Sequence, residues 1–291
     1  MNEVHEVNTA THTDAVIGNV EIPGRGGGYR NAQPGRLWLG GRGLSLAMIG
    51  ALLIMWWGAT ALRIVPSLFL PSPGAVARSF VKVWSEGFVD ATLMQHVGAS
   101  LARIFTALAF AIGVAVPLGL VAGVSKAARA MIDPIVEFLR PIPPLAYLPL
   151  IIIWCGIGEV SKILLLWLAI FPPILISTVV GVKATSQQWI DASRALGATP
   201  VQVLRFVVLP SALPSILAGI RLGLGGGWST LVAAELVAAT RGLGFMIQSA
   251  AQFLVTDVVV MGILVIATIA FAFEGLMRLA ERILVPWYGK T

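Results

Sequence analysis

Charge is scarce in this chain: of 291 residues only 12% are Asp, Glu, Lys or Arg, against 57% hydrophobic ones. A soluble domain of this length needs a charged surface, so this balance and a mean hydropathy of +0.87 exclude one. There is a single cysteine, Cys155, so no intrachain disulfide is possible and the cysteine motifs of metal and redox sites are absent. His5, His12 and His96 are the only histidines and do not cluster, which leaves no metal site to propose. No G-x-x-x-x-G-K-[ST] phosphate loop occurs, so the chain is not expected to bind ATP. The opening MNEVHEV has no basic start and the first apolar run begins only near residue 43, which argues against a signal peptide.

What the chain does have is long runs without charge. There are 20 uncharged residues between Arg42 and Arg63, 22 between Arg103 and Lys126, 18 between Arg140 and Glu159, and 20 between Lys162 and Lys183. Each run suffices to cross a hydrocarbon core of about 30 Å as a helix. Two further candidates are residues ~213–238, interrupted by Arg221 and Glu235, and the apolar run 258–273. The expectation is an all-α, polytopic membrane protein of about six transmembrane helices. With the N-terminus inside, twelve lysines and arginines fall on the inner side and five on the outer, which places both termini in the cytoplasm. Residues 1–42, polar and Gly-rich, are predicted to be a disordered cytoplasmic tail. The first span is 43–63, a periplasmic or interfacial connection covers 64–96, the core is 97–281, and 282–291 form a cytoplasmic tail.

One stretch breaks the apolar pattern: DASRALGATPVQVLRFVVLP, residues 191–210. Asp191 is read as the cap of a short helix that Gly197 ends in a left-handed conformation. Thr199 as N-cap, Pro200 at the first helical position and Gln202 closing a capping box start a second helix. Leu209-Pro210 is expected to stop it. A helix, a glycine turn and a helix on the inner face have three readings: a DNA-reading motif, a plain connector, or a docking knob for a cytoplasmic partner. Tethering at both ends and a weak basic footprint oppose the first.

The segment resembles the EAA loop of ABC-transporter permeases. Asp191-Ala192-Ser193, then Gly197, then Leu209 and Pro210 stand at that family's spacing, with aspartate for glutamate and serine for the second alanine. The resemblance covers roughly residues 66–290 and is strongest to the nitrate/sulfonate/taurine group, taurine permeases in particular, through GFVDATLMQHVGASLARI, RPIPPLAYLPLIIIWCGIGEVSKILL and GWSTLVAAELVAATRGLGFMIQSA. It implies a type I ABC importer permease fold with a cytoplasmic coupling helix in a bacterial inner membrane. It also implies a second copy of the chain, two ATPase subunits that bind the ATP and Mg, and a periplasmic binding protein, with lipid around the helices and no nucleic acid. The solute implied is taurine, with alkanesulfonate, nitrate or another small molecule as alternatives. A secondary transporter or channel, or an assembly factor without a pathway, remain remote readings.

The spans carry signals of their own. Gly219, Gly223 and Gly227 recur every four residues and offer a flat stripe for helix packing. Gly225-Gly226-Gly227 then loosen the helix before Trp228-Ser229-Thr230, near the midplane. Prolines 134, 141, 143, 144 and 149 break the third span, which is tolerable where protein or a water-lined cavity replaces the lost hydrogen bonds. The expected pathway is lined by Trp228, Ser229 and Thr230 with Pro143, Pro144 and Tyr147. Arg140 and Arg221 are expected to snorkel inward. Glu235 is about 21 Å along the helix from Arg221 at ~1.5 Å per residue, so the two are not partners; Glu235 is read as interfacial or as facing the pathway.

Overall fold

In a computed structural model of the protein, residues 41–287 are described; all but the last two residues of the expected tail 1–42, and the last four residues of the chain, lie outside them. Two compact units divide within the first helix. The described part of the first, residues 41–49, is helical throughout, and the second, Gly50–Thr291, carries everything below. Among the described residues the only extended pairing is an isolated bridge between Phe88 and Ala91.

Five helices are long and apolar enough to cross a membrane: α1 (Gly41–Ala61), α3 (Leu93–Val124), α6 (Glu159–Lys183), the continuous stretch Pro200–Val237, and α11 (Thr256–Leu284). Between α1 and α3 lies α2 (Pro73–Ser85), started by the Ser72 cap and Pro73 in its first turn. Its buried Ser79 hydroxyl donates to Asp257 of α11, which fixes α2 against the N-terminal end of that helix.

The third span departs from expectation. It is a pair, α4 (Lys126–Leu139) and the segment Pro144–Cys155, bent by 89°. The second arm is a 3-10 turn, Pro144–Tyr147, followed by an eight-residue helix, α5 (Leu148–Cys155). Eight residues rise about 12 Å, far short of a hydrocarbon core. Pro141, Pro143 and Pro144 remove three of four successive N–H donors from the helical ladder, so the chain turns there, whereas the lone Pro134 is absorbed inside α4. The count is therefore five straight spans, or six if the bent pair is one.

The core of the second unit is α6, packed along α3 on one side and along α9 (Leu209–Ala238) on the other. Small residues set the distances. A Cβ at Gly119 or Gly123 of α3 would sit 2.6 Å from Thr178 or 2.4 Å from Val182 of α6. On the opposite flank, a Cβ at Gly219, Gly223 or Gly227 would meet Ser177 at 2.5 Å, the Ile170 carbonyl at 3.0 Å and the Ile170 side chain at 3.0 Å. The four-residue stripe is thus the face of α9 that lies on α6. Lipid gives helices no hydrophobic reason to associate, so backbone proximity and the dispersion it permits must hold them.

Candidate functional site

The punctuated loop folds as a helix, a left-handed glycine and a capped helix. Ser186, with extended dihedrals, precedes α7 (Gln187–Ala195). Asp191 is therefore not its cap, as expected from the sequence, but an exposed residue of its middle, accepting from Gln187 Nε2 at 2.9 Å. The helix begins five residues earlier than an Asp191 cap implies, because Ser186 is the residue with cap geometry. Ser193 turns its hydroxyl back to the Trp189 carbonyl at 2.6 Å, and Ala192 is exposed. Gly197 has φ +83, its N–H bonded to Arg194 O at 2.9 Å and the next N–H to Ser193 O at 3.1 Å.

Thr199 and Gln202 close their capping box, with Thr199 N–H donating to Gln202 Oε1 at 2.8 Å, and α8 (Pro200–Val203) follows. Leu209-Pro210 does not stop it, contrary to expectation. A π-helical turn, Leu204–Val208, carries the backbone into α9 with Pro210 in its first turn. The wider turn relieves the clash between the proline ring and the carbonyl four residues back and needs no N–H from Pro210. The loop also leaves Trp189, Leu196 and Val201 exposed by 60%, 89% and 73%. Trp189 and Leu196 stand between two spans and Val201 at the start of the next, and apolar side chains so exposed at a span junction mark a contact surface.

The expected pathway residues do not converge. Successive residues on a helix point about 100° apart, so Trp228, Ser229 and Thr230 cannot share one wall. Trp228 is buried against Phe273 of α11, ring centroids 5.9 Å apart. Thr230 is buried with its hydroxyl on the Gly226 carbonyl at 3.0 Å. Ser229 alone is exposed, along with Gly225 and Gly226. Pro143 is exposed; Pro144 and Tyr147 lie in the 3-10 turn, which touches α9, and the Tyr147 hydroxyl is buried without a partner.

A second site, not read from the sequence, lies at the far ends of the spans from the loop. Glu235, near the end of α9, is fully buried. Its Oε1 accepts from Ser100 Oγ at 2.7 Å and Arg103 Nη1 at 2.6 Å, both of α3. Its Oε2 accepts the Gly244 N–H at 2.7 Å, so the carboxylate caps α10 (Leu243–Gln252). Arg103 Nη1 also donates to Arg241 O at 2.7 Å, while Nε and Nη2 grip Glu159 of α6 at 2.6 and 2.8 Å. Lys162 reaches the same Glu159 at 2.9 Å. His96 accepts the Gly242 N–H on Nδ1 at 3.2 Å, leaving Nε2 to donate to Phe88 O at 2.9 Å. Two cations and two carboxylates thus join α3, α6, α9 and α10. Both Glu235 oxygens are thus engaged within the chain. Arg221 is paired with Glu274 and Glu281 of α11. In the sequence, Arg103, Glu159 and Lys162 serve only as borders of uncharged runs; their use as borders was the available signal.

A bundle of apolar spans with a broken, proline-rich member and a knob between two spans defines a membrane-transport subunit. Residues 115–284 match the family described as binding-protein-dependent transport system inner membrane component, and the chain belongs to that family. It is 54% identical over 249 residues to the taurine transport system permease protein TauC of Escherichia coli, covering 85% of this chain and 90% of that one. It is 36% identical to the putative aliphatic sulfonates transport permease protein SsuC of Bacillus subtilis, over 88% and 91% of the two chains. Among solved structures, a chain of the MetNI methionine ABC transporter in an inward-facing conformation superposes with TM-score 0.54 and 26% identity, covering 64% of this chain and 94% of that one. The fold is that of an ABC importer permease. The chain is a multi-pass inner-membrane component, a permease subunit rather than an enzyme, and its family works with an ATPase and a binding protein.

Proposed function

We propose that the chain forms the membrane pathway of an ATP-driven taurine importer, working as a pair of copies on two cytoplasmic ATPase subunits that bind the nucleotide and Mg. The observation that carries the solute is the 54% identity to a taurine permease across 85% of the chain. The 36% identity to a sulfonate permease keeps alkanesulfonates as the second reading. The test is uptake of radiolabelled taurine by cells lacking their own taurine permease and supplied with this chain, its ATPase and its binding protein. Uptake that excess taurine abolishes and hexanesulfonate leaves intact is the expected result. Uptake of hexanesulfonate alone would replace taurine with the second reading.

Residues 191–210 are the joint with the ATPase, α7 being the coupling helix. The support is an exposed apolar trio, Trp189, Leu196 and Val201, around the EAA-like residues Asp191, Ala192, Ser193 and Gly197. Both chain termini and this loop lie in the cytoplasm, with α10 on the periplasmic side. Because Cys155 is an exposed free thiol, labelling is done in a Cys155→Ser background. An impermeant maleimide added to intact cells should reach Gln252→Cys at the exposed end of α10 and miss Ser193→Cys. Labelling at position 193 would reverse the orientation.

A further inference from the structure

Lys162 and Arg103 are among the most buried cations in the described residues, with side chains 4% and 5% exposed, yet both converge on a carboxylate whose side chain is 56% exposed. The cations are pinned: Arg103 is held from behind by Glu235 and the Arg241 carbonyl, and Lys162 stands one turn inside α6. The carboxylate is not. Glu159 is the first residue of α6, preceded by Gly156-Ile157-Gly158 with Gly156 at φ +77. Among the described residues Glu159 is the only acceptor for Lys162 Nζ, so two of the three ammonium hydrogens have none. This cluster lies at the opposite end of α6 from the coupling loop, about 37 Å away along a 25-residue helix.

We propose that Arg103 and Lys162 form an anion-binding site at the outer end of the pathway, occupied at rest by Glu159 and taken over by the sulfonate of an entering solute. The inference rests on the transport reading above and names the part of this chain that meets the solute. A buried cation left without a partner is strongly destabilising, so Glu159 can leave only when another anion replaces it. Three sulfonate oxygens match the donors that face the site, Arg103 Nε and Nη2 and the Lys162 ammonium, better than two carboxylate oxygens do. The released Glu159 then stands beside the site as the partner for a solute ammonium. Sulfonate and ammonium on one small molecule satisfy both groups at once. A plain alkanesulfonate satisfies only the cations.

The test uses the permease–ATPase complex in lipid nanodiscs, with methanesulfonate as probe and chloride at matched ionic strength as control, binding being read by calorimetry. Glu159→Gln removes the resident competitor and should tighten methanesulfonate binding at least tenfold. Adding Lys162→Met should abolish that gain. Glu159→Asp, which keeps the charge but shortens the reach, should tighten binding several-fold and provides the readout if Glu159→Gln does not assemble. Equal affinity in wild type and both Glu159 variants, or a chloride response as large as that to methanesulfonate, would overturn the site. Binding is measured without uptake, so the two readings fail separately. Taurine uptake by wild type alongside unchanged affinities removes only the site. Tightened binding without taurine uptake removes only the choice of solute.

Discussion

Glu235→Ala should yield little folded permease. The substitution takes the carboxylate from three donors at once, Ser100 Oγ, Arg103 Nη1 and the Gly244 N–H. It also leaves Arg103, 4% exposed, facing a buried void. Removing one partner of a buried ion pair costs about 3–5 kcal/mol, a large share of the roughly 5–15 kcal/mol that holds a typical domain together. At about 2–4 °C per kcal/mol for a chain of this size, the melting midpoint in detergent should fall by roughly 6–20 °C. Glu235→Gln keeps the shape and most of the hydrogen bonds, and should fall between wild type and alanine. The same carboxylate is reached from the other side by Gly242, whose φ is +138 and where a Cβ would sit 2.4 Å from Glu235 Cδ. Gly242→Ala should therefore resemble Glu235→Ala in size-exclusion profile. A Glu235→Ala midpoint within two degrees of wild type, measured by fluorescence-detected melting, would mean the network is dispensable.

Gly197→Val should leave the permease inserted and assembled but stop uptake. Nothing lies within 4 Å of a Cβ built at Gly197, so crowding is not the difficulty. The difficulty is the backbone: φ +83 lies in the left-handed region, which a side chain enters at about 1–2 kcal/mol and a β-branched one least readily. The turn will relax toward negative φ and swing α7 relative to α8. A shift of about an ångström at a contact that transmits motion is enough to cut activity by two orders of magnitude. Gly197→Asn, which tolerates the left-handed region, should retain most uptake, and Gly197→Ala should lie between. Uptake, ATPase pull-down and hydrolysis on one preparation read the effect. Full, tightly coupled uptake by Gly197→Val would make residues 191–210 a mere connector.

The loop 191–210 was legible for a local reason. A left-handed glycine and a Thr-Pro-x-Gln capping box are decided within a few residues, so Gly197, Thr199, Pro200 and Gln202 announce themselves. Asp191 misleads because a residue that can cap also sits comfortably in an exposed helix. Leu209-Pro210 misleads because a proline ends an α-helix by default, and only the π turn before it shows that the helix has been widened to pass. The glycine stripe on α9 is periodic and so readable, but nothing in the chain says that its partners are Ser177 and Ile170 of α6.

The sequence by itself determined the membrane class, through charge scarcity and uncharged runs long enough to span. It also determined the helix–glycine–helix loop, through turn chemistry that needs no distant contact. The tertiary structure alone decided where the intramembrane charges go. Arg103 and Glu235 are separated by 132 residues, and no local rule links them. They meet because the small residues of α3, α6 and α9 let three helices approach closely enough for one guanidinium to bridge them. It also decided that the third span turns at a right angle. Prolines say that a helix must break, while the direction of the break, 89° here, is set by what the second arm packs against: Leu165 of α6 and Ala234 of α9. Pairings between distant segments are chosen by packing, because only in the folded bundle does an unpaired buried charge or an unfilled gap carry its full cost.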